Sequence, residues 1–167
     1  MEKIWAPWRG EYIKNPLSFD NSKCIFCDFI KAGASKDKEH LVLYRNEFGF
    51  VMMNKYPYNN GHIMVIPNKH ADSFESMSEK EYSELSSLLK LSVKVLKHVY
   101  NPQGVNIGMN MGKAAGAGVE AHVHYHVVPR WNGDTNFMPI LADTKIISEH
   151  LQETYERLIN GFKEVVK

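Results

Sequence analysis

Three histidines stand at alternate positions of one short apolar segment, residues 121–130 with the sequence AHVHYHVVPR. Alternate side chains of a β-strand share one face, so the segment predicts a strand with His122, His124 and His126 on one side. Imidazoles serve as nucleophiles, general bases and metal ligands. Two interpretations follow: the three rings converge on one metal ion, or one ring attacks a substrate while its neighbours hold a phosphate.

Cys24 and Cys27 are the only cysteines, and two residues separate them. Two cysteines this close cannot form a disulfide framework, so the spacing indicates a zinc site, a redox dithiol or two packed free thiols. A redox dithiol is expected to follow a strand and to open a long helix, whereas this pair follows a polar turn at residues 21–23. We favour zinc, and because a closed zinc site needs four ligands, histidines must supply the other two.

A loop of small residues, 112–118, precedes the histidine segment. Glycines let backbone N–H groups approach an anion closely, so this loop is a candidate phosphate-binding loop. It is neither a Walker A motif nor a dinucleotide-binding motif, because no helical pattern follows it. Beside the histidine row, the loop indicates a substrate that contains phosphate.

The elements that would position these residues alternate between strand and helix patterns. Strand patterns cover residues 41–45, 48–54, 62–67, 105–110 and 121–130, with a hairpin about residues 46–47. Helical patterns cover 78–100, where Ser78 and Glu81 fit a capping box, and about 148–163, and a short amphipathic turn covers 28–32. This order predicts an α+β fold with an antiparallel sheet of about five strands, one long central helix and a C-terminal helix.

Length and composition fit one domain of ordinary size, with 167 residues, 44% of them hydrophobic and 23% charged. A net charge of +1 predicts no nucleic-acid partner, and the lack of a long apolar run predicts no membrane partner. The first eight residues lack the apolar stretch of a secretion signal, which predicts a cytoplasmic location. We divide the chain into an N-terminal aromatic arm (1–20), a central domain (21–131) and a C-terminal extension with the second helix (132–167).

The histidine segment resembles the signature of the histidine-triad (HIT) superfamily, His-φ-His-φ-His-φ-φ with φ apolar, which stands here at residues 122–128. The resemblance extends over residues 22–131 and includes the Cys-x-x-Cys spacing, Asn54, the segment 61–70 and the small-residue loop. The aromatic arm and the segment WNGDTNF at 131–137 are similar to the dinucleoside-polyphosphate phosphorylase and hydrolase branch, which includes diadenosine tetraphosphate phosphorylases and is related to fragile-histidine-triad proteins.

The resemblance implies an enzyme that cleaves dinucleoside polyphosphates through a covalent nucleotidyl-histidine intermediate, with phosphorolysis favoured over hydrolysis. His124 is implied as the nucleophile, and His126 as a contact to the non-bridging oxygens. The other implied nucleotide contacts are Asn54 at the ribose, Asn110 near the bridging oxygen, the amides of Gly116, Ala117 and Gly118 at the phosphate, and His62 behind the site. Alternatives are a hydrolase of dinucleoside polyphosphates or of nucleoside phosphoramidates, and a purine nucleotide-binding module with little turnover.

The same resemblance implies a structural zinc ion held by Cys24, Cys27, His70 and His122. His122 would then anchor its segment through the metal, whereas a single ion on all three triad histidines would leave the cysteines unexplained. Mg²⁺ is an optional companion of the substrate phosphates. The implied partners are a purine mono- or dinucleotide substrate, inorganic phosphate as acceptor, and a second copy of the chain in a homodimer or higher homo-oligomer.

Overall fold

The computed structural model describes residues 24–134 and 149–167; the predicted aromatic arm lies outside them. The elements in chain order are α1 (Ile25–Ala32), β1 (Val42–Arg45), β2 (Gly49–Met53), β3 (Ile63–Pro67), α2 (Glu79–Tyr100), β4 (Gly104–Met109), β5 (Tyr125–Arg130) and α3 (Leu151–Val165). Five strands, a long helix and a C-terminal helix confirm the predicted α+β fold. Within the described ranges, no helix is both long enough and apolar enough to cross a membrane.

The five strands form one sheet in the order β1-β2-β3-β5-β4, and every neighbouring pair is antiparallel. The predicted hairpin is β1–β2, and its turn is held by the Asn46 side chain, which accepts hydrogen bonds from the N–H groups of Phe48 and Gly49. β5 lies between β3 and β4, so the strand that carries His126 is inside the sheet, and β4 and β1 are the two edge strands.

Helices α2 and α3 cover one face of the sheet. That core includes Val51, Val65 and Val127 from the strands and Leu96 and Leu158 from the helices. A buried methylene in such a core stabilises the fold by about 0.8 kcal/mol, so this apolar face accounts for the tight docking of both helices.

The opposite face carries a smaller apolar cluster, in which Phe26 of α1 packs against residues of β1, β2 and β3, among them Phe50 and Met64. Met64 lies directly opposite His126, and His126 lies opposite Gly108 of β4. Cross-strand partners share a face. Because α1 has only eight residues, its cluster covers β1–β3, and the same face of β5 and β4 carries Val128 beside the polar side chains of His126, Arg130 and Asn106.

The predicted capping box at the start of α2 is confirmed. The Ser78 hydroxyl accepts from the Glu81 N–H, and the Glu81 carboxylate accepts from the Ser78 N–H. The helix ends at Asn101, which adopts the left-handed conformation with φ 45°. The predicted turn at 28–32 is the second half of α1, and the predicted helix at 148–163 begins later, at Leu151.

The prediction of a strand across 121–130 is wrong in its first half. β5 begins only at Tyr125, so His122 and His124 precede the strand in irregular backbone. The cause is a different backbone partner: the Val123 N–H donates to the carbonyl of Ala71, beyond the end of β3. The chain therefore leaves the regular ladder, and the three histidine rings do not share one strand face.

Candidate active site and metal centre

His122 is buried with both ring nitrogens in contact with protein atoms. Its Nε2 lies 2.9 Å from the carbonyl oxygen of Pro67, at the end of β3. A carbonyl only accepts, so Nε2 carries the hydrogen and Nδ1 keeps its lone pair. That Nδ1 lies 3.3 Å from Cys24 Sγ and 3.7 Å from Cys27 Sγ. Burial lowers the pKa of His122 to about 4, so the ring is neutral, as a metal ligand must be.

A four-residue donor set assembles around this nitrogen, formed by Cys24, Cys27, His70 and His122. One donor atom from each lies within 4.8 Å of the others. Cys24 is the N-cap of α1 and Cys27 lies in its first turn, so the start of one helix presents both sulfurs. His70 follows β3, and its Nδ1 lies 3.2 Å from Cys27 Sγ.

The donor spacing fits zinc. A tetrahedral site with the usual Zn–S and Zn–N lengths has sulfur-to-nitrogen edges of about 3.6 Å, and the observed contacts run from 3.2 to 3.7 Å. Burial, with the neighbouring Cys24 thiol, raises the pKa of Cys27 to about 11, so the sulfur carries a proton at neutral pH, which a bound cation has to displace. The outer hydrogen bond from His122 to Pro67 orients the ring as second-shell bonds orient metal-ligating histidines.

His124 is buried, with 3% of its surface exposed. Its Nδ1 lies 3.0 Å from the carbonyl oxygen of His122, so Nδ1 donates and Nε2 carries the lone pair. Burial lowers the pKa of His124, and the bond to the His122 carbonyl partly opposes that shift. The ring is therefore neutral with a fixed nucleophilic nitrogen, the state that attack on an electrophile requires.

Two hydrogen bonds in series fix the tautomer of His126. The Tyr58 N–H donates to His62 Nδ1 at 3.0 Å, so His62 carries its hydrogen on Nε2. His62 Nε2 lies 3.0 Å from His126 Nδ1 and donates to it. His126 therefore holds its own hydrogen on Nε2, as an N–H donor. The Tyr58 ring packs on both imidazoles, with centroids 4.5 Å from His62 and 5.6 Å from His126.

The three triad rings contact different partners. His122 faces the cysteines, His124 bonds backbone and His126 bonds His62. The rings of His124 and His126 are neighbours, with centroids 4.9 Å apart. The interpretation with all three on one ion is wrong for the described residues, whose His/Cys/Asp/Glu donor set is the Cys24, Cys27, His70, His122 cluster.

Phe26 is a site residue that the sequence analysis missed. It lies between the two cysteines, is buried, and meets the rings of His122 and His124 edge-on at 5.4 and 5.1 Å. Edge-to-face contacts of this kind orient aromatic rings. The available signal was its position in the Cys-x-x-Cys segment, since an apolar residue on a helix that begins at two candidate metal ligands packs beneath them.

The structure places the two predicted asparagines in different cavities. Asn110 and His126 line a cavity of about 330 Å³ on the open face of β4 and β5. Asn54 and His62 line a second cavity of about 180 Å³. The Asn54 side chain also accepts from the Tyr56 N–H. The His62–His126 hydrogen bond therefore connects the two cavities.

The small-residue loop uses part of its predicted anion-binding capacity internally. The Gly116 N–H donates to Lys113, and the Ala117 N–H donates to Gly112. Gly116 has a φ of 83°, where glycine is favoured, and its carbonyl lies 3.5 Å from Asn110 Nδ2. Of the three predicted amides, that of Gly118 has no hydrogen bond to the described part of the chain.

An ion pair at the far wall of the larger cavity was also missed. Arg130 donates from Nε and Nη2 to Asp134 at 2.6 and 2.8 Å, and from Nη1 to Asn106 Oδ1 at 2.8 Å. Asn59 donates to Asp134 as well, at 2.8 Å. The sequence could not predict this pairing, because Asn59 and Asp134 lie far apart along the chain and no local pattern links them.

Comparison with known proteins gives one consistent family. The family described as HIT domain matches residues 35–133. An AP-4-A phosphorylase from Mycobacterium tuberculosis is 35% identical over 157 residues, covering 92% of this chain and 80% of that protein.

Solved structures have the same fold. A hypothetical histidine triad nucleotide-binding protein from Sulfolobus tokodaii has a TM-score of 0.67 and 31% identity, covering 86% of this chain and 91% of that one. A Zn-bound histidine triad family protein from Mycobacterium smegmatis has a TM-score of 0.69 and 23% identity, covering 87% of this chain and 96% of that one. The second likeness, at that identity, concerns the fold alone.

Proposed function

The chain belongs to the HIT domain family, and on that premise we propose that it cleaves dinucleoside polyphosphates by nucleotidyl transfer through His124. The observation that carries the proposal is the hydrogen bond from His124 Nδ1 to the His122 carbonyl. It leaves the lone pair on Nε2 of a neutral, buried ring beside a second imidazole that is an N–H donor. The similarity to an AP-4-A phosphorylase supports the substrate class.

In the first step, Nε2 of His124 attacks the phosphorus of the nucleotidyl group. The bond to the bridging oxygen breaks, and its electron pair leaves with the remaining phosphate chain. The positive charge that develops on the ring is stabilised by the Nδ1 hydrogen bond to the His122 carbonyl, which is already in place before the reaction.

In the second step an acceptor attacks the same phosphorus, and the electron pair of the P–N bond returns to Nε2. Inorganic phosphate as acceptor gives a nucleoside diphosphate, and water gives a nucleoside monophosphate. We propose phosphate, on the similarity to the phosphorylase.

Two donors support the phosphoryl oxygens in both steps. The Nε2–H of His126 is fixed by the chain from Tyr58 through His62, and the amide of Gly118, at the end of the small-residue loop, makes no hydrogen bond to the described residues. Removing one such preorganised donor typically costs about 10²–10³ in kcat. Asn110, beside both the loop and the cavity, supports the bridging oxygen.

We further propose that Cys24, Cys27, His70 and His122 hold a structural zinc ion. When bound, zinc supplies a cross-link between α1, the end of β3 and the triad segment. His122 is the shared residue, since its carbonyl accepts the hydrogen bond of His124. Anchoring the His122 ring therefore holds the acceptor that orients the nucleophile.

Replacing Cys24 by serine tests the zinc site. We expect zinc content, measured by plasma mass spectrometry, to fall well below one per chain. The free energy of unfolding should fall by about 2.7 kcal/mol where free zinc exceeds its dissociation constant a hundredfold. His98→Ala, at an exposed histidine paired with Glu164, is the control. One tightly held zinc in Cys24→Ser would contradict the assignment.

The activity is tested with diadenosine tetraphosphate and Mg²⁺, with and without inorganic phosphate, followed by identification of the nucleotides. We expect ADP and ATP in the presence of phosphate, and no turnover by His124→Ala. AMP and ATP regardless of phosphate would replace phosphorolysis by hydrolysis. Turnover no higher than that of His124→Ala would contradict the enzyme and support a nucleotide-binding module.

A further inference from the structure

The larger cavity extends well beyond the atoms that the proposed chemistry uses. Its lining consists of Tyr58, Asn59, Asn106, Ile107, Gly108, Asn110, His126, Val128 and Arg130. His126 and Asn110 mark the near end, beside the reacting phosphorus. Arg130 lies four residues further along β5, about 13 Å away at the usual rise of a strand. One phosphate group does not fill this length.

The far end is polar but close to electrically neutral. The Arg130 guanidinium is matched by Asp134 in a two-bond fork, and the Asp134 side chain is only 9% exposed. Asp134 also accepts from Asn59 and from the Trp131 N–H. A cation whose charge is already balanced in this way has little affinity for a free inorganic anion. The ion pair instead fixes the positions of the carboxamides of Asn59 and Asn106.

The remaining walls are apolar or aromatic, supplied by Val128 and the ring of Tyr58. Small-molecule sites combine such walls with a few well-placed polar groups, in volumes of about 300–1,000 Å³. Aromatic faces stack on nucleobases, and carboxamides supply both hydrogen-bond donors and acceptors. The volume of about 330 Å³ and this lining match a nucleoside better than a bare phosphate.

We propose that this cavity binds the departing half of the dinucleoside polyphosphate, with the phosphate chain at the His126 end and the second nucleoside at the Arg130 end. The inference rests on the proposed function and names the part of the substrate that gives a preference for dinucleotides over mononucleotides. Asn106 is then a specificity-determining residue, since its side chain lies at the far end and is oriented by Arg130.

Gly108 keeps the cavity open between its two ends. It lies opposite His126 in the β4–β5 register. A Cβ atom built at Gly108 meets no other atom within 4 Å, so a larger side chain there enters the cavity without a clash in the fold. Gly108→Val is therefore a filling variant, and Asn106→Ala removes a polar contact at the far end.

The test compares the affinities of AMP and diadenosine tetraphosphate by titration calorimetry, in a His124→Ala background that prevents turnover. AMP fills one nucleotide site at a time, whereas the dinucleotide fills the site at His124 and the cavity together. We expect Asn106→Ala to lower the affinity for the dinucleotide by about fivefold to tenfold, the value of one hydrogen bond. Gly108→Val should lower that affinity further. The ratio of dinucleotide to AMP affinity should fall in both. Val105→Ala is the matched control, because alternation along β4 places that neighbour on the other face.

Equal losses for AMP and the dinucleotide, or no loss for either, would overturn the subsite. The subsite would also be overturned if Asn106→Ala or Gly108→Val left the affinity ratio unchanged but altered the oligomeric state in light scattering. That result would make the cavity an interface between chains. In unsubstituted protein, ATP should inhibit dinucleotide cleavage competitively, and non-competitive inhibition would also count against the subsite. Turnover is measured separately from binding. If the protein cleaves the dinucleotide but the variants do not lower the affinity ratio, the subsite is wrong and the proposed function stands. If the variants lower the ratio but the protein does not cleave the dinucleotide, the proposed function is wrong.

Discussion

The imidazoles around the proposed nucleophile, His124, take their tautomers from backbone groups whose hydrogen-bonding roles are fixed. The carbonyl of Pro67 only accepts, the carbonyl of His122 only accepts, and the Tyr58 N–H only donates. These three groups determine which nitrogen carries the hydrogen in four histidine rings. Backbone atoms therefore fix the proton positions of His122, His124 and His62 directly, and that of His126 through the His62 side chain.

Replacing His62 by alanine tests the chain of hydrogen bonds. His126 Nδ1 loses its donor, so its hydrogen is no longer confined to Nε2. We expect kcat to fall by about fivefold to tenfold, the value of a neutral hydrogen bond expressed as a rate. Steady-state kinetics on diadenosine tetraphosphate measure this fall, with exposed His98→Ala as the control. An unchanged kcat would show that His126 does not depend on His62.

For single residues, the sequence identified candidate site residues by type and spacing, but it did not predict which residues contact them. The triad spacing and the Cys-x-x-Cys pair were visible because they are local. Tyr58 was not, since its contribution includes a backbone N–H in a turn, four residues from His62. Phe26 and Asn59 were missed because their partners lie far along the chain.

Helices α2 and α3 pack closely at Gly161. A Cβ atom built there would collide with the Val99 side chain and press on Val95. We expect Gly161→Ala to lower the free energy of unfolding by about 1–3 kcal/mol, the usual cost of overpacking. Denaturant unfolding measures it. Asn160→Ala, at the exposed neighbouring position, should change stability by less than about 0.5 kcal/mol, and an equal change in both variants would contradict this account.

The start of α2 gives a dependence on pH. Hydrogen bonds from the Ser78 N–H and from Lys69, with the Ser78 hydroxyl, lower the pKa of Glu81 from 4.5 to about 2. A carboxyl with a depressed pKa stabilises the fold fully above its unfolded value, and that contribution is lost as pH falls. We expect the stability difference between native protein and Glu81→Gln to be constant above pH 5 and to shrink from pH 4.5 toward pH 2. Thermal unfolding across this range measures it, with exposed Glu75→Gln as control; a difference that persists at pH 2 would be inconsistent with the cap.

Element boundaries were predictable where local pattern and tertiary contacts agree. Asn46 holds the turn of the hairpin, and Ser78 caps the start of α2. The segment 121–130 alternates like a strand throughout, yet the bond from Val123 to Ala71 breaks its first half out of the sheet. The acceptor of that bond lies in the segment after β3, so the pattern of residues 121–130 alone could not predict it.

For the whole molecule, β4 is an edge strand, and Ile107 on it is 48% exposed. Edge strands pair readily with another chain, so we expect a homodimer that uses this edge. Ile107→Lys places a charge there and should shift the protein to monomer in light scattering. Val166→Lys, at an equally exposed apolar residue at the end of α3, should not. A monomeric unsubstituted protein, or an unaffected dimer in Ile107→Lys, would contradict this.

The insertion of β5 between β3 and β4 has a consequence for the time course of folding. Cys24 meets His122 across 98 positions, His122 meets Pro67 across 55, and His126 meets His62 across 64. Contacts this distant in sequence close large loops and form late. A nascent chain emerging from the ribosome carries both cysteines long before the triad is synthesised. The cysteines therefore spend most of synthesis without His122, and the proposed nucleophile, His124, reaches its place only when the last strand docks.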